Sequence, residues 1–432
     1  MTIVLVGIYS VLLIAQSYYL RVLIMLFATL LFLTNVNLYE KKVKSVSPSL
    51  IFYVIVCFFN MTFCPFIYTN EKLAELRASR PETSVTPNDH FEIYAIVSII
   101  LSILIFIYLK NRKEEESGDV KPLYTSPTND YAVLLSTVLL VGIGLVMNSP
   151  SFVPICVAPM TYFVASYFAK GRHGNIALFI GFVICFGYMV INALGDRFQL
   201  LQYIFPLLLF FIIYLSNNKK VKPSHVYILF IFGVVLIELY GVVSEVYKLN
   251  HGYGMSISLS EVFNNKDVLF KYMGNQIYRI FEIWTPLGGT IIELVQENGY
   301  YYGLTFIKAI APRLGLEYVN LATINAQFIG ATYAQPGLLA EGYANFGIIG
   351  AIINIGIIFV LMEYCYRRYL KEKTTYMLLF AVVPFSKIIL DGGSFNDAIF
   401  NIIFVFITIF FIKILPLDNK QVALNKSLAR VS

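Results

Sequence analysis

The chain has 432 residues, 58% of them hydrophobic and only 13% charged, with a mean hydropathy of +0.72 and a formal net charge of +6. Long apolar runs recur along the whole length, which excludes a soluble globular domain and points to a polytopic membrane protein. Basic loops on one side of a membrane account for the positive charge, so no nucleic-acid partner is implied.

Apolar runs fall near 2–19, 20–38, 49–69, 91–110, 131–148, 152–168, 175–194, 198–216, 225–245, 339–364, 375–391 and 395–415. Backbone polar groups in lipid must be bonded within the segment, and alternating short strands are absent, so the runs are helices. The predicted fold class is all-α, a single polytopic helix bundle of about eleven or twelve spans of roughly twenty residues each. The smaller number applies if the first two runs, separated by little more than Arg21, merge into one helix. The first run begins at Thr2 with no basic stretch and no small-residue cleavage site, so it is predicted to be a retained helix rather than a signal peptide. The five cysteines, Cys57, Cys64, Cys156, Cys185 and Cys365, form no CxxC pair and read as small buried hydrophobes. The four histidines are dispersed, which argues against a zinc site.

Basic residues set the predicted orientation. Lys41, Lys42 and Lys44 share one loop, and Lys110, Arg112, Lys113 and Lys121 the next but one. Lys170 and Arg172, then Lys219, Lys220 and Lys222, then Arg367, Arg368, Lys371 and Lys373 follow at alternate loops. All are assigned to the cytoplasm, and with them both termini. The long loop of about 246–338 is then external. Its length without low complexity suggests a folded lid over a membrane cavity. A helical stretch is predicted around Asn265 to Gln296, with Gly-rich breaks at Gly288-Gly289 and Asn298-Gly299.

Candidate site residues cluster on the predicted outer side. Asp196 and Arg197 form a tight turn between two spans. Asp196 can cap the following helix, and Arg197 then stands in its first turn, where the helix dipole disfavours a cation. An anionic ligand explains that placement, as does a snorkelling role at the interface. Glu238 and Lys387 are predicted inside spans, where charges are functional candidates by default, or they pair with each other. Arg279 lies three residues before Glu282, a local pair or an anion contact. Arg313 follows the rigid Pro312, and its guanidinium fork suits phosphate oxygens. Tyr300, Tyr301 and Tyr302 suit either sugar stacking or a headgroup belt. Asp391 and Asp397 flank the last external turn, as cavity-lining groups or as turn and cap residues.

The run Gln335 to Gly350, QPGLLAEGYANFGIIG, is the most informative. Gln335, Pro336 and Gly337 open a predicted spanning helix, whose first free N–H groups near Gly337 and Leu338 make an anion site. Glu341 and Asn345, four residues apart, share one face. A carboxylate at the edge of hydrocarbon needs solvation or a partner. In a dry pocket it suits a general base or acid. The alternative is interhelical hydrogen bonding that holds the bundle. Gly347 and Gly350 read as sites of close helix packing.

The segments Gly195-Asp196-Arg197, Ala311-Pro312-Arg313 and Ala340-Glu341-Gly342-Tyr343-Ala344-Asn345-Phe346-Gly347, together with one large external loop late in the chain, resemble the Wzy-type oligosaccharide repeat-unit polymerases of O-antigen and capsule synthesis. The E-x-Y-x-N-F-G pattern is the most specific part of the likeness. The chain departs from some members in lacking a Trp-Pro-x-Lys-Pro type of run after Arg313. The resemblance implies a GT-C-like glycosyltransferase of the bacterial cytoplasmic membrane, acting at its outer face without nucleotide sugar. The sequence has no strong two-carboxylate motif for a divalent metal, so neither metal nor cofactor is expected. It would move a growing glycan from undecaprenyl pyrophosphate onto the next lipid-linked unit. Glu341, Arg197 and Arg313 would be catalytic. Asp196, Arg279, Gln335, Gly337, Tyr343, Asn345, Asp391 and Lys387 would contact substrate. A chain-length regulator and a flippase are the protein partners such a role implies. An O-antigen ligase is the alternative enzyme, although His251 is the one external histidine that suggests it. A lipid-linked oligosaccharide flippase would instead need charges along a path through both leaflets.

Overall fold

The computed structural model describes residues 18–43, 46–63, 91–112, 127–147, 156–170, 176–192, 205–210, 212–213, 239, 242–243, 246–247, 249–250, 254, 256–265, 268–269, 286–308, 311–328, 337–372, 375–391 and 395–414. Regular structure among the described residues is helical. The helices are α1 (Tyr18–Val43), α2 (Pro48–Phe52), α3 (Phe91–Asn111), α4 (Pro127–Met147), α5 (Val157–Lys170), α6 (Ile176–Asn192), α7 (Leu259–Asn264), α8 (Pro286–Asn298), α9 (Ala311–Leu314), α10 (Leu321–Phe328), α11 (Gly337–Glu372), α12 (Thr375–Asp391) and α13 (Phe395–Ile414). Three are long and apolar enough to cross a membrane, over Arg21–Val43, Phe91–Asn111 and Gly337–Lys371. Shorter apolar helices cover Pro48–Phe58, Asp130–Val146, Ile176–Met189 and Asn401–Phe410. The runs expected at 2–19, 198–216 and 225–245 lie wholly or largely outside the described residues.

The chain divides into two compact units. In the first, comprising Met1–Gly118, Leu215–Glu363 and Lys387–Ala398, α1 packs along α3. Arg21 at the start of α1 pairs with Glu92 at the start of α3, 3.1 Å apart. Farther along, Asn35 Nδ2 donates to Ser102 O at 2.8 Å and to Tyr53 Oη at 2.9 Å. The two helices therefore run parallel and bring their basic ends, Lys41, Lys42 and Lys110, to one end of the unit.

Between them α2 starts from Ser47, whose hydroxyl accepts the Leu50 N–H at 3.0 Å, and continues as π-helical turns over Tyr53–Phe63. Wider turns leave a carbonyl for a side chain to fill. Ser98 of α3 donates to Cys57 O at 2.7 Å, and Thr62 joins it at 2.6 Å. Cys57 itself is buried.

In the long loop, α7 begins with a capping box of Ser258 and Glu261. Asn265 Oδ1 then accepts the Val268 N–H at 3.3 Å, opening the next helical turn. The break expected at Gly288-Gly289 is absent: both glycines sit inside α8. Glycine in a helix costs about 1 kcal/mol each relative to alanine, and packing overrides that here. Ile291, Ile292 and Val295 are buried as α8 packs on α10, with Thr290 hydrogen-bonded to Asn325. The stop comes at Gly299, φ 89°, whose N–H bonds Val295 O at 2.8 Å, a left-handed glycine cap.

The second unit comprises Asp119–Tyr214, Tyr364–Ser386 and Ile399–Ser432. Its core joins Met160, Tyr162 and Phe163 of α5 to Cys185 and Met189 of α6, Val383 of α12, and Val405 and Ile409 of α13. The Phe163 ring occupies the space that a side chain at Gly181 would need. Tyr162 Oη donates to the buried Asp130 at 3.1 Å.

Candidate functional site

α11 is folded back on itself. Phe346 (φ −146°, ψ 25°) and Gly347 (φ 65°, ψ −152°) leave helical geometry. Asn354 Nδ2 donates to Leu338 O at 2.9 Å, although the residues are 16 apart in sequence. In a straight helix they would be about 24 Å apart. A Cβ on Gly342 would lie 2.6 Å from Gly350 O and 2.7 Å from Ala351 Cα. The pairs 338/354 and 342/350 are both centred on 346. Residues 337–345 therefore run antiparallel to the start of 348–372, as a helical hairpin with its arms in backbone contact. Gly347 occupies a region of φ/ψ space that side chains strongly disfavour. Gly342 and Gly350 remove the side chains that would hold the arms apart.

This corrects the single span expected over 339–364. The helix after the turn, 348–372, is about 37 Å long, against a hydrocarbon core of about 30 Å. Glu341 belongs to the short returning arm and not to the first turn of a spanning helix.

The long loop docks on the hairpin tip. Asn345 Oδ1 accepts the Gly303 N–H at 2.7 Å, and its Nδ2 donates to Thr305 Oγ1 at 2.6 Å and to Glu341 O at 2.8 Å. Ala344 O accepts the Tyr301 N–H at 2.9 Å. Carbonyls left over at the end of the arm are thus satisfied by the loop. Tyr300 closes over Gly347, where a Cβ would lie 2.9 Å from its hydroxyl oxygen, and packs edge-on to Tyr343 with centroids 6.3 Å apart. Tyr302, at φ 47°, is the one non-glycine with positive φ among the described residues.

Glu341, Tyr343 and Asn345 are all buried, with Glu341 only 2% exposed. Glu341 is partnered in that setting. Asn345 is engaged in fastening loop to helix. Gly337 opens the short arm, φ 84°, and is buried. Arg313 stands in the one-turn helix α9, and Lys387 and Asp391 in α12. Asp196, Arg197, Glu238, Arg279 and Gln335 lie outside the described residues.

A second constellation, centred on Glu363, was not expected. Arg112 Nη1 lies 2.5 Å from Glu363 Oε1, with side chains 2% and 4% exposed. Tyr108 Oη reaches the same oxygen at 3.5 Å. Tyr39 Oη donates to Oε2 at 2.8 Å, and Ser49 Oγ donates there too. Ser47 Oγ bonds Tyr39 Oη in turn. Phe359, one turn before Glu363, meets Tyr108 edge-on at 6.3 Å, so 348–363 runs parallel to α3. The cluster clasps α1, the start of α2, the end of α3 and the long arm of α11. Its signal was legible: Glu363 is a carboxylate in a long apolar run. By sequence alone Arg112 is one more basic residue of a lysine-rich segment.

No curated protein and no solved structure matches the chain. A family of unknown function, DUF6032, matches it over residues 1–429. That span takes in the hairpin, the docked loop and the clasp, and the chain belongs to the DUF6032 family.

Proposed function

We propose that this chain is a multi-pass membrane glycosyltransferase that polymerises lipid-linked oligosaccharide repeat units at the outer face of the bacterial cytoplasmic membrane. The observation that supports it most is Glu341, buried on a returning helical arm directly beneath a docked loop, within the E-x-Y-x-N-F-G pattern. In this reading the hairpin tip faces outward, and the basic ends of α1 and α3 face the cytoplasm.

Glu341 takes the proton of the acceptor hydroxyl, or positions that hydroxyl. The oxygen attacks the anomeric carbon of the donor glycan as the bond to undecaprenyl pyrophosphate breaks. Arg197 and Arg313 take up charge on the departing pyrophosphate. The chemistry proceeds without a nucleotide sugar.

The test is purified protein mixed with lipid-linked repeat units from its own host, with and without EDTA. A ladder of longer lipid-linked glycans that survives EDTA is expected, and Glu341→Gln slows its growth about 10²- to 10⁴-fold. No ladder from folded protein that binds the lipid overturns the reading. One observation favours a second reading, a lipid-linked oligosaccharide transporter: Arg112 and Glu363 place buried charge about 18 Å along the long arm from the level of Glu341. Transfer of the lipid across vesicles without chain growth distinguishes it.

A further inference from the structure

The described residues of 299–308 and 311–319 turn apolar side chains outward. Tyr302 is 74% exposed, and Tyr300, Ile307, Leu314, Leu316 and Tyr318 are exposed with it. Six large apolar side chains exposed along one loop point to an interaction site. The stretch is folded: the Ala311 N–H bonds Ile307 O at 2.8 Å, the Leu316 N–H bonds Ala311 O at 3.0 Å, and the Val319 N–H bonds Leu304 O at 3.1 Å. Turns at Gly303 and Gly315, both at positive φ, shape it.

Two observations point to what covers this surface. The stretch is fastened to the hairpin tip through Tyr301 and Gly303. From that tip an exposed apolar stripe descends the long arm of α11: Phe346 at the tip, then Ile349, Ile353, Ile357 and Val360. Spacings of four, four and three put the last four on one helical face. On a helix long and apolar enough to cross a membrane, such a face meets acyl chains. A folded apolar loop fixed at the head of that stripe stands where hydrocarbon gives way to headgroups. Tyrosine suits that level, with an apolar ring and a polar hydroxyl. Glu317, also exposed, has water within reach there.

We propose that residues 300–308 and 311–319 form an interfacial shelf whose partner is the phospholipid of the bilayer that holds the protein. The shelf anchors the external loop at the membrane surface. This stands independently of the glycosyl-transfer reading.

The chain has a single tryptophan, Trp284, so added tryptophans can be read against it. Tyr302→Trp and Tyr318→Trp proteins are placed in phosphatidylcholine vesicles with and without brominated acyl chains, and the wild-type signal is subtracted. The added emission is expected to be blue-shifted, quenched by bromine and spared by iodide. Water-like emission quenched by iodide and spared by bromine overturns the proposal and turns attention to a glycan or a soluble protein. The unmutated protein decides the case if neither variant folds. A phospholipid carrying a photoreactive group near its headgroup should label the peptide containing residues 300–319, and absence of label there overturns the proposal.

Discussion

Gly347 shows how much of the candidate site rests on single residues. Its φ of 65° with ψ of −152° belongs to a region that glycine alone occupies readily, and Tyr300 fills the space beside it. Gly347→Ala should destabilise the protein by about 1–3 kcal/mol. A lower melting temperature in detergent, with faster proteolysis of the loop, checks it; an unchanged melting curve would mean the hairpin tip is not formed as described. Asn345→Ala removes the acceptor of the Gly303 N–H and one hydrogen bond to Thr305 at once. Each hydrogen bond lost costs about 0.5–1.5 kcal/mol, so the loop should undock and exchange its amides faster. Asn345→Asp keeps the acceptor for Gly303 and loses the donor to Thr305, so it should fall between wild type and alanine. The pattern around Glu341 was read as chemistry, and much of it serves geometry: the asparagine fastens the loop and the glycine makes the turn.

At the level of elements, two devices hold the long arm of α11. One is the glycine contact between its arms. Gly350→Val would press a branched side chain into Gly342 and the Phe346 side chain, and should open the hairpin, seen as loss of a disulfide engineered between 338 and 354. The other is the clasp on Glu363. Arg112→Met leaves a buried carboxylate without its cation and should cost about 3–5 kcal/mol, whereas Arg112→Met with Glu363→Met should recover most of that loss. Denaturant-dependent unfolding of the three proteins measures it. Equal stability in the single and double variants would show that the pair is not coupled.

For the whole molecule, the parallel course of α1, α3 and the long arm makes a directional prediction. With the five native cysteines replaced, Glu317→Cys should react with a membrane-impermeant maleimide in intact cells. Lys41→Cys and Lys110→Cys should react only after permeabilisation, because the basic ends of α1 and α3 lie at the opposite end of the first unit from the hairpin tip. Labelling of all three from outside would reject the proposed orientation.

Composition and hydropathy alone specified helices and apolar runs, because lipid leaves a backbone little choice but to bond within its own segment. Spacing alone put Glu341 and Asn345 on one face. Direction within α11 was beyond that reach. A run of apolar residues from Gly337 onward has the same periodicity whether it continues straight or reverses at Gly347, since hydropathy does not record the sign of φ. Likewise Arg112 and Glu363 are 251 residues apart, and each looked ordinary in its own neighbourhood. Only the packing of α3 against the long arm joined them, because desolvating a charge is tolerable where the fold supplies its partner.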